Sequence, residues 1–304
     1  MPKILKSALQ LIGETPVLEL SRLSARYPCK TNILAKLEMW SPSGSVKDRA
    51  VHRMVREALE TQKATQSTLM VEASGGNSGI ALAMVCAAMG LRCAVIVPDD
   101  TPPARQNHIR MYGAQVIPFP AAQGALGAQA AVSALQACEA DSFVLRQFEN
   151  PATLLAHRQG IGREIVDSVG QVDYFVAGSG SGATISGVGE VLKMHWPECR
   201  VIAVEPVDSP VLSGGFPGGH VITGIGPGFV PENLNTFILD EVIRVRTPDS
   251  VEMMQALARE EGILAGLSSG AALVAAVSVA QRAEAKGRTV LTILPDTGER
   301  YLKG

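Results

Sequence analysis

The run Asn77–Met89, NSGIALAMVCAAM, sets the strongest limit on what this chain can fold into. Its apolar residues lie on nearly every side of a helix, so such a helix has to be covered on most faces. It follows Leu69-Met-Val-Glu-Ala73, a strand of the kind buried on both sides, and Gly90 ends it. A doubly buried strand feeding a helix with no wet face implies a layered α/β structure rather than a bundle or a sandwich.

The remaining pattern repeats that unit. Strand-like runs at 17–20, 32–38, 93–97, 115–119, 173–177, 200–204, 244–246 and 289–294 are separated by helix-like runs. These lie at 46–62, 105–112, 124–138, 152–169, 184–195, 250–261 and 270–286, after a short amino-terminal helix at 6–12. The alternation predicts largely parallel sheets covered on both faces. Residues 208–235, rich in Gly and Pro, read as a long loop packed over a site.

Composition removes whole classes of function. With 304 residues, 46% of them hydrophobic, the chain can build one large or two medium α/β domains. A net charge of −2 gives no basic face for nucleic acid or an anionic membrane. No apolar run reaches the roughly 18 residues of a membrane span, and Met1-Pro-Lys-Ile4 has no signal-peptide core. Five scattered cysteines without C-x-x-C read as reduced thiols in a cytoplasmic protein. His52, His108, His157, His195 and His220 have no metal-ligand spacing and read as structural, so no metal is expected.

Chemistry concentrates at four places. Ser41-Pro-Ser-Gly-Ser-Val-Lys47-Asp-Arg49 breaks a strand and opens a helix, with Ser43 or Ser45 as its cap. That puts Lys47 at the positive end of a helix dipole, which disfavours its ammonium form. Ser74-Gly-Gly-Asn77-Ser-Gly79 joins a buried strand to a buried helix, where free N–H groups suit a carboxylate or phosphate. An ordinary turn capped by Asn77 would use the same residues.

Gly178-Ser-Gly180-Ser181-Gly182-Ala183-Thr184 is a fuller phosphate cradle. It also fits G-x-G-x-x-A, with Glu205 ending the next strand, which keeps an NAD-dependent dehydrogenase open. Gly266-Leu-Ser268-Ser269-Gly270 offers a neutral hydroxyl at a helix start. A lysine, an asparagine turn, a phosphate cradle and a serine turn in that order fit pyridoxal 5′-phosphate: a Schiff-base amine, a phosphate site and a partner for the ring nitrogen.

At these residues the chain resembles the cysteine synthases (O-acetylserine sulfhydrylases) of the fold-type II, tryptophan synthase β-like pyridoxal-phosphate enzymes. Pro42 to Arg49 matches P-S-G-S-V-K-D-R. Ile12-Gly-Glu-Thr-Pro16, Gln147-Phe-Glu-Asn-Pro151, Gly224-Ile-Gly-Pro-Gly-Phe-Val-Pro231 and Pro295 to Leu302 resemble further family motifs, so the likeness spans nearly the whole chain.

The resemblance implies two αβα domains: a smaller one at 41–148, and a larger one made of 1–40 plus 149–304, with the cofactor between them. It implies Lys47 as Schiff-base lysine and general base, and Asn77 on the cofactor's ring hydroxyl. Gly180, Ser181, Gly182, Ala183 and Thr184 would hold the phosphate, with Ser268 at the ring nitrogen and Ser269 as the alternative. Ser74, Gly75 and Gln147 would hold the substrate's α-carboxylate.

The implied reaction replaces the acetate of O-acetyl-L-serine, or another activated serine, by sulfide through an α-aminoacrylate, giving L-cysteine. A cytoplasmic homodimer is implied as well. Cystathionine β-synthase-like, diaminopropionate-forming and cysteine desulfhydrase chemistry remain alternatives with the same cofactor, and a regulatory module that kept the fold is a non-enzymatic one. Gly75, Ala183, Trp40-Ser41 and Thr153-Leu-Leu155 depart from the family's usual residues, and they bear on which substrate and nucleophile are taken.

Overall fold

The structure, a computed structural model, describes residues 4–302. Met1-Pro-Lys and Lys303-Gly304, which enter the readings of the amino terminus and of the outer domain limits, lie outside the described residues. The chain forms two compact units, Met1–Gly13 with Ser41–Thr153, and Glu14–Trp40 with Leu154–Gly304. The expected division left residues 1–40 together. Instead Leu9 and Ile12 pack on the apolar core of the first unit, the cluster that contains Val55 and Leu82.

The first unit holds a parallel four-stranded sheet. Its strands are β3 (Leu69–Ala73), β4 (Cys93–Pro98), β5 (Gln115–Phe119) and β6 (Ser142–Val144), in the order β5-β4-β3-β6. Alternate residues of β4 face opposite ways. Val95 and Val97 pack on Ile80 and Ala83 of α3 (Asn77–Met89) and Ile109 of α4 (Pro103–Met111). Ala94 and Ile96 pack toward α5 (Gly124–Cys138). Helix α2 (Lys47–Glu60) buries Val51, Met54, Val55 and Ala58 against α3, the stripe its spacing predicts.

The second unit holds a six-stranded sheet in the order β1-β2-β10-β7-β8-β9. The strands are β1 (Val17–Glu19), β2 (Ile33–Leu37), β7 (Tyr174–Gly178), β8 (Arg200–Pro206), β9 (Leu239–Val245) and β10 (Val290–Leu294). Only β1 runs antiparallel to its neighbour. Helices α9 (Thr247–Glu261) and α10 (Leu267–Ala280) share one apolar core with α1 (Ser21–Arg26) and the strands. Helix α8 (Ala183–His195) packs on β7 and β8.

The expected helix over 152–169 is interrupted. Helices α6 (Ala152–His157) and α7 (Arg163–Ser168) are joined by a π turn at Arg158–Gly162. At Gly162 a Cβ would lie 3.0 Å from Val191 of α8, so the absence of a side chain permits the close approach. Among the described residues no helix is long and apolar enough to cross a membrane, and no His/Cys/Asp/Glu group is placed to hold a metal.

Candidate active site

In the first unit, Lys47 is the opening residue of α2. Gly44 takes φ +81° in the tight turn before it, where its N–H reaches Ser41 O at 2.7 Å. Neither Ser43 nor Ser45 caps the helix, contrary to expectation. Asp48, one residue into the helix, folds back instead: its carboxylate accepts the Ser43 N–H at 2.7 Å and the Ser43 hydroxyl. The buried Ser45 hydroxyl is left without a hydrogen bond.

Lys47 keeps some accessible surface, but its amine lies deep enough that loss of water pushes its pKa below the ordinary lysine value. The nearby carboxylate of Glu72 works in the opposite sense and is outweighed.

Glu72 sits on β3 among apolar neighbours and is 4% exposed. Burial pushes its carboxyl up to about 7, against the smaller opposing effects of the Gln147 amide and Lys47. Gln147 Nε2 donates to Glu72 Oε1 at 3.1 Å, and Ser78 Oγ donates to Gln147 Oε1 at 2.5 Å. This relay fixes Gln147 beside the start of α3. The second carboxyl oxygen of Glu72 has no hydrogen bond.

The turn before α3 carries Ser74, Gly75 and Gly76. Gly76 N–H donates to Ser74 Oγ at 3.2 Å, and no side chain caps the helix at Gly76, so Asn77 is its first residue rather than its cap. A 13-residue helix with an uncapped start presents N–H groups and positive dipole to an anion. Lys47, Ser74, Gly75, Asn77 and Gln147 therefore all belong to this unit.

The second unit brings together the other group. Residues 178–182 link β7 to α8, again without a side-chain cap. Gly182 has φ +79°, and a Cβ there would lie 2.5 Å from that of Leu234. A Cβ at Gly180 would overlap the carbonyl of Gly224. A strap from the long loop therefore packs directly on this turn, and Gly226 N–H ties that strap to Ser179 O at 2.9 Å. Thr184 Oγ1 lies 3.2 Å from His157 Nε2, a contact that gives His157 its structural place.

Ser268 lies in the first turn of α10, and a Cβ on Gly224 would be 3.9 Å from its hydroxyl. Strap, cradle and serine turn are therefore neighbours. The adjacent Ser269 hydroxyl is buried without a partner. Asp296, buried, crowds Gly266 so closely that any side chain there would collide with it, and it accepts the Tyr301 hydroxyl at 2.7 Å.

Two groups here escaped the sequence reading: Glu72 and Asp296. Only Glu72 left a trace, as the one acid in an otherwise apolar strand.

Glu205, which a dinucleotide site would need for a ribose, is engaged elsewhere. Its buried carboxylate accepts Leu212 N–H at 2.8 Å, Ser213 N–H at 3.0 Å and Ser213 Oγ at 2.6 Å, anchoring the long loop. The glycine fingerprint at 178–183 therefore lacks the acid that would make it a dinucleotide site.

Known proteins give the same answer. A cysteine synthase of Staphylococcus aureus is 42% identical over 295 residues, covering 96% of this chain and 94% of that protein. The crystal structure of an Entamoeba histolytica cysteine synthase superposes with a TM-score of 0.95 at 35% identity, over 100% of this chain and 91% of that one. That of the O-acetylserine dependent cystathionine β-synthase of Helicobacter pylori gives 0.92 at 39% identity, over 100% and 99%. Residues 8–296 match the family model described as pyridoxal-phosphate dependent enzyme. The fold is that of the fold-type II members of this group, and the chain belongs to the pyridoxal-phosphate dependent enzyme family.

Proposed function

We propose that the chain is a transferase of the cysteine synthase type, which replaces the acetate of O-acetyl-L-serine by sulfide to give L-cysteine. The observation that carries this reading is Lys47: an amine at a helix start, pushed toward its neutral form by burial and facing a carboxyl that burial also pushes toward neutrality. Burial that favours the free amine makes this lysine a better nucleophile toward an aldehyde and a better base toward a C–H bond.

The residues fit pyridoxal phosphate. The uncapped α8 start with its glycine cradle suits a phosphate dianion, and the unpartnered Ser269 hydroxyl beside Ser268 marks a polar edge in an otherwise apolar turn. Lys47, Asn77, Gly180, Ser181, Gly182, Ala183, Thr184 and Ser268 would hold the cofactor. When bound, it supplies the electron sink that acidifies the Cα proton and lets the β-substituent leave.

The chain's own residues do the rest. Backbone N–H groups at the α3 start, with Ser74, Gly75 and Gln147, hold the substrate's carboxylate. The Glu72–Gln147–Ser78 relay fixes the amide that meets it. Lys47 Nζ takes the Cα proton and returns it after the nucleophile has added at Cβ. Ser268 offers the ring nitrogen a neutral hydroxyl rather than an anion, which limits charge withdrawal and favours loss of the β-substituent over transamination.

A second reading keeps the cofactor and changes the nucleophile, giving cystathionine β-synthase-like chemistry. It is supported by the Helicobacter pylori enzyme, whose 39% identity lies between the 35% and 42% of the two cysteine synthases, and by Gly75 in the carboxylate turn. Amino-acid analysis after incubation with O-acetylserine and either sulfide or homocysteine separates the two. Faster product formation with sulfide supports the first reading, and faster formation with homocysteine supports the second. The cytoplasm and a homodimer complete the proposal, supported by the five unpaired cysteines and by the family. Light scattering on the purified protein tests the dimer.

A further inference from the structure

Thr101 lies in the loop between β4 and α4, and nothing in the sequence marks it. It is 6% exposed. Its backbone is fixed at both ends: the N–H donates to Pro98 O at 3.0 Å, and the carbonyl accepts Gln106 Nε2 at 2.9 Å. Its hydroxyl has no hydrogen-bond partner among the described residues. A hydroxyl held in place by a rigid turn and given no acceptor by the protein is available to a ligand that reaches the turn.

The direction of that hydroxyl is recorded by the glycine it faces. A Cβ built on Gly75 would lie 2.5 Å from Thr101 Oγ1 and 3.3 Å from Thr101 Cγ2, with Pro98 Cδ at 3.2 Å. Thr101 thus fills the volume a side chain at position 75 would take, and Gly75 is required by it. The hydroxyl arrives from a different loop at the turn whose free N–H groups open α3.

We propose that Thr101 Oγ1 donates a hydrogen bond to the α-carboxylate of the amino-acid substrate at the Ser74-Gly75-Gly76 turn, supplying from the β4–α4 loop the hydroxyl that residue 75 cannot carry. This rests on the function proposed above and adds a substrate-binding residue to it.

The test uses the cofactor-loaded enzyme and three variants: Thr101→Val, Thr101→Ser and the double variant Gly75→Ser/Thr101→Ala. L-Alanine, which has no leaving group, is titrated against the absorbance of the bound cofactor. Ethylamine, which lacks the carboxylate, is the control. A hydrogen bond to a charged acceptor is worth roughly a 10- to 100-fold change in affinity.

Thr101→Val is expected to raise the alanine Kd and the O-acetylserine KM by that factor, with kcat changed less than about threefold. Ethylamine should bind equally to both proteins. Thr101→Ser should recover most of the loss, and the double variant part of it. In the apoprotein, Gly75→Ser alone should lower Tm, and adding Thr101→Ala should reverse that, because the clash is with Thr101 itself.

Unchanged alanine binding in a folded Thr101→Val, with the ethylamine control intact, overturns the proposal and leaves the function standing. If Thr101→Val does not fold, Thr101→Ser and the double variant decide: weak binding in both despite wild-type Tm overturns it. If the wild-type protein shows no spectral response to any amino acid, the function itself has failed, and the proposal with it.

Discussion

Glutamine at position 72 separates the charge of the buried carboxyl from its shape. Glu72→Gln keeps an oxygen for the Gln147 amide at nearly the same place and removes the ionisation. Below about pH 4.5 the glutamate is neutral in both folded and unfolded chains. Between 4.5 and about 7 the unfolded chain releases the proton while the folded one keeps it, so the folded state loses ground as pH rises. The gap between those two values, at about 1.4 kcal/mol per pH unit, amounts to about 3 kcal/mol.

The glutamine variant lacks this penalty. Urea unfolding of the two apoproteins at several pH values between 4 and 8.5, followed by the fluorescence of Trp40 and Trp196, cancels the other titrating groups in the difference. The variant should gain on the wild type as pH rises, by up to about 3 kcal/mol, with most of the gain between pH 5 and 7.5. Lys47 titrates in both proteins; the lowering of its pKa by burial makes each fold gain stability as pH rises, and that shared contribution cancels in the difference. A difference that stays flat across the whole range would refute the buried, proton-holding carboxyl.

Other perturbations read different parts of the structure. Gly182→Ala forces a side chain onto a φ of +79° and against Leu234, and should cost roughly 3 kcal/mol and loosen the cofactor about tenfold or more. Differential scanning fluorimetry and dialysis against phosphate check this, with Gly170→Ala, where a Cβ meets nothing, as the neutral control. Lys36 is 1% exposed, its ammonium bonded to Thr15 O at 2.5 Å and Glu164 at 2.7 Å. Lys36→Met leaves Glu164 and Thr15 without that donor, and should cost about 2 kcal/mol, at the lower end for a broken pair because Glu164 is partly wet. Equilibrium unfolding would show it, and a change within 0.5 kcal/mol, as roughly expected of an exposed pair, would contradict it.

The fold was legible where burial imposes a pattern. Strands β3, β4, β7, β8 and β10 are apolar almost throughout because helices or loops cover them, and helices α2, α3 and α5 begin and end within about two residues of their expected limits. What escaped lies at sheet edges. β6 is three residues long, and residues 239–243 of β9 fall outside the strand expected at 244–246, because an edge strand keeps one side wet. Helix α1 is too short to show a period.

The site divides in the same way. Its glycine turns could be read from sequence because close approach leaves glycine as the only residue that fits, as at Gly180 under the Gly224 carbonyl. Thr101 and Asp296 could not, since their meaning lies in contacts with Gly75 and Gly266, each made across the fold. Local rules also misplaced the α2 cap. Serine was the expected acceptor, but Asp48 reaches back and turns Ser43 into a donor.

The central claim is that Lys47 carries the pyridoxal phosphate. Borohydride reduction of the purified, yellow protein followed by peptide mass mapping tests it most directly. A phosphopyridoxyl mass is expected on the peptide containing Lys47 alone, absent from Lys47→Ala. Label on another lysine, or a protein that takes up the cofactor and none of the label, would contradict it.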